Sequence, residues 1–176
     1  MKSSIALIGF MGAGKTVVGE ALAKKLNKKF VELDSLIERR AGKSIPEIFE
    51  QDGEVAFREL EIEVTKEVSR NKNLVIACGG GLVLNKINID RLRKESIIVY
   101  LTASPGVLLK RVLGDEGERP LLSVPDKTSE IRELLRFRKP FYERAADIKI
   151  DTSKLDIDAV AEQIIKRLKE DESFNF

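Results

Sequence analysis

Five short apolar runs punctuate this chain, at 4–8, 30–33, 73–77, 97–101 and 147–150. They are continuous rather than alternating, the pattern of strands buried on both faces of a parallel sheet. Between them lie longer stretches with helical spacing of apolar positions, at about 15–27, 54–70, 87–94, 104–113, 128–144 and 156–170. Strand and helix alternate throughout, which predicts a three-layer α/β/α fold around a parallel sheet. No internal repeat or low-complexity linker interrupts it, so 1–176 reads as one domain. The charged tail from Lys169 to Phe176 reads as frayed.

Two regions break the alternation. Residues 34–61 carry two or three short helical pieces punctuated by Gly42, Pro46 and Gly53. Residues 114–126 are rich in glycine, proline and charge. This divides the domain into a core (1–33, 62–113 and 127–170), a segment at 34–61 suited to a second substrate, and a closing lid at 114–126.

The first strand runs into Gly9-Phe-Met-Gly-Ala-Gly-Lys-Thr16, which fits G-x-x-x-x-G-K-[ST] and opens a helix. In that setting, glycines let backbone N–H groups turn inward on a phosphate at a helix N-terminus. Gly12, Ala13 and Gly14 would line the anion, Lys15 would reach the β- and γ-phosphates, and the Thr16 hydroxyl would ligate Mg²⁺. The motif points to ATP or another nucleoside triphosphate.

Composition narrows the rest. Apolar residues make up 43% and charged residues 34%, and 31 Lys plus Arg nearly balance 29 Asp plus Glu, so no broad basic field invites nucleic acid. No stretch approaches the ~18 apolar residues of a membrane span, and Met-Lys-Ser-Ser leads directly into the first strand. The single cysteine, Cys78, excludes an internal disulfide and suits a reducing compartment, so a cytoplasmic monomer without nucleic-acid or membrane partners is expected. The chain has no histidine, which leaves a carboxylate or a lysine as the candidate base.

Asp34 follows the second strand, at the carboxyl end where ligands gather in open α/β sheets. It could accept a proton from an attacking hydroxyl, or simply cap a helix beginning at Ser35. Arg58 could pair with Glu54 one turn back, or clamp a substrate carboxylate in bidentate fashion. Gly79-Gly80-Gly81 ends the third strand, and three consecutive glycines imply that something lies close against the main chain. Arg119 falls in the lid, where a guanidinium can close over a transferring phosphoryl group. Arg138 sits in a basic helical run of which only one residue need point inward.

In this order and spacing the motifs resemble the shikimate kinase family from Leu7 to about Thr152. The resemblance rests on the P-loop, Phe30 to Asp34, Ser44 to Phe49, Gly53-Glu54 with Phe57-Arg58 and Glu61, the glycine triplet, Arg119-Pro120-Leu121-Leu122, and Arg138 with Tyr142 and Ala146-Asp147. It implies a five-stranded sheet of order 2-3-1-4-5, of nucleoside-monophosphate-kinase type. It also implies ATP-dependent, Mg²⁺-assisted phosphorylation of the shikimate 3-hydroxyl, on the route to chorismate and the aromatic amino acids. Carried over position by position, Asp34 would bind and deprotonate the hydroxyl, with Lys15 and the lid residue Arg119 at the phosphates. Arg58 and Arg138 would grip the carboxylate, and Gly80 and Gly81 would lie against the ring. Arg111 would flank adenine, with Ser153 completing its pocket. The family's usual Asp-x-Asp is here Glu32-Leu33-Asp34. The first acid is thought to hold Mg²⁺ through water in related enzymes, and the extra methylene of Glu32 leaves that role open.

Gluconate kinases and nucleoside-monophosphate kinases share the P-loop and the fold. The former have less use for paired arginines beside a glycine triplet, and the latter need a base-reading pocket at 34–61. A non-catalytic nucleotide-binding module would be expected to lose Lys15, Thr16 or Asp34, and all three are present.

Overall fold

A computed structural model describes residues 1–114 and 127–176. Strands β1 (Ser4–Ile8), β2 (Lys29–Glu32), β3 (Leu74–Ala77), β4 (Ser96–Thr102) and β5 (Ile148–Asp151) form one parallel sheet, ordered β2-β3-β1-β4-β5. Every residue of β1 and β3 is buried, as the unbroken apolar runs require of strands covered on both faces. The edge strand β5 instead alternates buried and exposed positions. β1 has the bounds expected from the sequence, and the other strands differ by one residue at either end at most.

The helices are α1 (Lys15–Leu26), α2 (Leu33–Ala41), α3 (Ile45–Gln51), α4 (Gly53–Val68), α5 (Lys86–Leu92), α6 (Pro105–Leu113), α7 (Lys127–Ala145) and α8 (Ile157–Lys169), with a 3₁₀ turn at Leu82–Leu84. The broken pattern at 34–61 is α2, α3 and the first half of α4. Local chemistry accounts for the breaks. Gly42 ends α2 with φ 70°. Ser44 and Glu47 then close a reciprocal capping box at the start of α3, with Pro46 in its first turn.

The tail departs from expectation. Lys2 N–H donates to the Ser173 carbonyl at 2.7 Å, Asn175 N–H donates to the Lys2 carbonyl at 2.7 Å, and Phe174 is buried in the core. A charged run conceals one anchoring ring, so the residues just past α8 are tied to the N-terminus rather than frayed.

The crossover leaving β1 runs to β2 on one side of it, whereas the crossover leaving its neighbour β3 runs to β4 on the other. The loop after β1 and the glycines after β3 therefore meet at the carboxyl edge of the sheet, where the strand order places a ligand crevice.

Candidate active site

The P-loop links β1 to α1, and its glycines are needed for both space and conformation. Gly12 and Gly14 have φ of 81° and 92°, which disfavour a side chain. A Cβ at Gly12 would also lie 3.0 Å from Val112 on α6. Lys15 Nζ curls over the loop to donate to the Gly9 and Phe10 carbonyls at 2.7 and 3.0 Å. Thr16 lies in the first turn of α1, and both residues line a cleft of about 320 Å³ with Gly12, Gly14, Glu32, Asp34 and Gly80.

A second cleft of about 330 Å³ adjoins it, sharing Met11, Glu32, Asp34, Gly79 and Gly80. Its other walls include Ile45, Pro46 and Phe49 of α3, Arg58 and Glu61 of α4, Gly81, and Arg138 of α7. The short helices of 34–61 thus build one wall of a compartment beside the phosphate loop. A broader depression of about 890 Å³ beside β5 and α8 holds none of these groups.

Asp34 lies inside the first turn of α2, which starts at Leu33, and makes no cap bond. Its Oδ1 is buried without a hydrogen-bond partner among the described residues. Burial pushes its carboxyl above the usual carboxylate range, against the pull of the Lys15 ammonium and with smaller upward pushes from Glu32 and Glu38.

Arg58 reaches Glu54 only at 3.5 Å and holds Glu61 Oε1 at 2.9 Å. The surface-pair reading of Arg58 therefore describes its weaker contact. Of the basic run on α7, Arg138 turns inward and is 2% exposed. Burial pulls its guanidinium below the usual arginine value, against the pull of the Tyr142 hydroxyl that it meets. Tyr142 in turn donates to the Gly80 carbonyl and stacks on Tyr100, 5.1 Å between centroids.

The glycine triplet has a more specific reason than ligand approach alone. A Cβ at Gly79 would lie 2.9 Å from Asp34 Oδ1 and 3.2 Å from Glu61 Oε2. At Gly80 it would lie 3.3 Å from Arg138 Nη1, and at Gly81 it would collide with the Arg58 guanidinium. Each glycine clears the space for a charged side chain of the cleft. The close approach expected from the sequence is made first by the protein's own side chains.

Arg111 on α6 ties the phosphate loop to the turn after β5. It donates to the Gly12 carbonyl at 3.2 Å and to Thr152 Oγ1 and O at 3.1 and 3.2 Å. Ser153 accepts from Ser104 N–H at 2.8 Å, which fixes the turn after β5 against the one after β4. Arg119 and the lid lie outside the described residues. Cys78 is fully buried, and burial pushes its thiol far up, so it is a packed residue rather than a nucleophile.

Glu61 belongs to the sequence motif around Arg58, whose pattern assigns it no role in the site, and the structure places it in the wall of the second cleft. It is 1% exposed, bonded to Arg58, and leaves Oε2 without a partner among the described residues. Its position three residues after Arg58 signalled a helical pair. Its burial had no signal on a helix with four other glutamates.

A phosphate loop beside a compartment that presents Asp34 and Glu61 together with the inward arginines Arg58 and Arg138 defines a P-loop kinase of the small-metabolite type. Comparison with known proteins specifies it further. The shikimate kinase family profile matches residues 11–169. The shikimate kinase of Caldanaerobacter subterraneus subsp. tengcongensis is 49% identical over 163 residues, 93% of this chain and 94% of that protein. That of Thermodesulfovibrio yellowstonii is 48% identical over 163 residues, 93% of each. The structure of shikimate kinase from Acinetobacter baumannii in complex with shikimate superposes with a TM-score of 0.92 at 38% identity, covering 98% of this chain and 96% of that one. The chain belongs to the shikimate kinase family. A gluconokinase from Sinorhizobium meliloti, at 19% identity and a TM-score of 0.58, shares the fold alone.

Proposed function

We propose that the two adjoining clefts are where this kinase transfers the γ-phosphoryl group of ATP to the 3-hydroxyl of shikimate, yielding shikimate 3-phosphate and ADP. The observation that carries the assignment is Asp34, which lines both clefts and so stands between the phosphate loop and the two arginines.

Arg58 and Arg138 hold the substrate carboxylate, for which planar guanidinium forks are suited. Gly80 and Gly81 let Arg138 and Arg58 lie close against the main chain, and the ring would rest beside them. The substrate hydroxyl donates to Asp34, whose carboxylate takes the proton as the O–P bond forms. Lys15 and the N–H groups of Gly12, Ala13 and Gly14 cradle the phosphates, and Arg119 closes from the lid. Arg111 and Ser153 shape the adenine side. Phosphoryl transfer is largely positioning and charge neutralisation, so the absence of histidine from the sequence is no obstacle.

Mg²⁺ fits the site. The Thr16 hydroxyl opens on a cleft that also presents carboxylate oxygens, the hard donors this ion takes. Bound there, it would neutralise charge on the β- and γ-phosphates. Among the described residues no helix is long and apolar enough to cross a membrane. The packed, unpaired thiol of Cys78 suits a reducing compartment such as the cytoplasm, and a monomer is the oligomeric state we propose.

The test is ADP formation from Mg·ATP with shikimate, gluconate or nucleoside monophosphates as acceptor. Turnover dependent on shikimate alone is expected; turnover with another acceptor and none with shikimate would overturn the assignment.

A further inference from the structure

Gly81, against whose main chain the Arg58 guanidinium lies, is flanked by two residues whose carbonyls are each held by a buried side chain. The Gly80 carbonyl accepts from the Tyr142 hydroxyl of α7. The Leu82 carbonyl accepts from Asn88 Nδ2 of α5 at 3.2 Å, and Asn88 is fully buried. The backbone gives the Leu82 carbonyl only a long bond, from Asn85 N–H at 3.4 Å. Asn88 N–H in turn holds the Asn85 carbonyl at 3.0 Å. One residue thus fastens the 3₁₀ turn Leu82–Leu84 to α5 by both its main chain and its side chain.

Packing alone does not account for an amide there. Asn88 shares the inner face of α5 with Ile89 and Leu92, both buried, where an apolar side chain would bury without penalty. Its Oδ1 has no hydrogen-bond partner among the described residues, a costly state for a buried amide. Reversing the amide would set that oxygen against the Leu82 carbonyl, so the orphaned acceptor is the consequence of the bond that Nδ2 makes. A polar group kept at a cost points to what its bond holds in place.

The same helix holds the other half of the clamp. One turn on from Asn88, Arg91 Nη1 donates to the Ile62 carbonyl of α4 at 3.0 Å, and Ile62 lies one turn beyond Arg58. We propose that Asn88 is a positioning residue for recognition of the substrate carboxylate: together with Arg91 it brackets the glycine turn against α4, and so sets where the Arg58 guanidinium rests on Gly81. Asn88 lines neither cleft and acts only through Arg58. With its bond removed, the turn shifts and the guanidinium shifts with it. A fork that must meet both oxygens of a carboxylate tolerates little displacement.

The inference rests on the reading of Arg58 as the clamp, and its test separates the two. Asn88→Ala removes the donor. The shikimate KM should rise about fivefold or more, with kcat and the ATP KM within about twofold of wild type. An unmoved shikimate KM overturns the proposal, as does an equal change in all three, the mark of a generally loosened fold. In an R58A background N88A should change the shikimate KM by less than about twofold, because the group it positions is gone; a fully additive effect overturns the link. Arg91→Met, at a half-buried position, removes the second grip while keeping the side chain's stem, and carries the test where N88A does not fold. The same selective rise is expected, and an unmoved shikimate KM again overturns the proposal. R58A with an unchanged shikimate KM would refute the clamp itself, whereas R58A with a raised KM beside an unmoved N88A refutes only the bracket.

Discussion

Gly81 leaves open the volume that the Arg58 guanidinium fills. A Cβ built at Gly81 would lie 2.6 Å from Arg58 Nη1 and 2.7 Å from its Cζ. The backbone of Gly81 has φ −98°, which other residues adopt, so the glycine is required for space and not for conformation. The G81A substitution should therefore displace the guanidinium while leaving the turn intact. We expect the KM for shikimate to rise about tenfold, equivalent to ~1.4 kcal/mol, with a much smaller change in the KM for ATP. Steady-state kinetics with each substrate varied in turn would check this, and an unchanged shikimate KM would show that Arg58 can act from elsewhere.

Replacing Asp34 by asparagine should leave ATP binding intact and lower kcat by about 10²–10⁴, the usual share of a positioned acid–base group. Stability should move the other way. Burial raises the folded-state affinity of Asp34 for its proton, so its cost to folding is absent below the ordinary carboxylate range and grows as pH rises through the elevated folded value. Thermal melts at pH 4 and pH 8 should show D34N gaining on the wild type only at the higher pH.

Arg58→Ala removes both the substrate clamp and the bond to a buried carboxylate. The shikimate KM should rise at least tenfold, and stability should fall by on the order of 2 kcal/mol as the buried Glu61 loses the donor that Arg58 supplies. Urea denaturation alongside kinetics separates these effects. Restoring stability with the double variant R58A/E61Q, without restoring KM, is the outcome that assigns the two roles.

The Tyr142 hydroxyl, buried against Gly80 and Arg138, has no role in the proposed chemistry but orients both. Tyr142→Phe should cost about 1–3 kcal/mol by leaving the Gly80 carbonyl without its donor. Its kinetic signature should be a raised KM for shikimate with the ATP parameters unchanged, read from initial rates.

Phe174 fills the core beyond α8, between the backbone bonds that tie residues 173 and 175 to Lys2. Phe174→Ala should cost about 3 kcal/mol, measured by denaturant midpoint. A negligible cost would mean that the tail is frayed, as its charge suggested.

The phosphate loop was legible from the sequence because its chemistry is local. Three glycines, a lysine and a threonine act through contiguous backbone, so their spacing is their function. The alternation of apolar runs likewise specified the sheet class, since a strand buried on both faces must be apolar throughout. Arg58, Arg138 and Asp34 could be nominated, but each kept an ordinary alternative as a surface pair, a solvated basic face or a helix cap. Burial decided among these, and burial is a property of neighbours distant in sequence.

Glu61 shows where that reasoning stops. On α4 it is one glutamate among five, distinguished only by the face of the helix that turns toward Gly79. By itself the sequence determined the phosphate loop, the α/β class and the absence of histidine chemistry. Only the tertiary structure decided which carboxylates meet, what the three glycines make room for, and that the tail is anchored. The first set depends on neighbours along the chain, whereas the second depends on charges and volumes that meet only when separate elements pack.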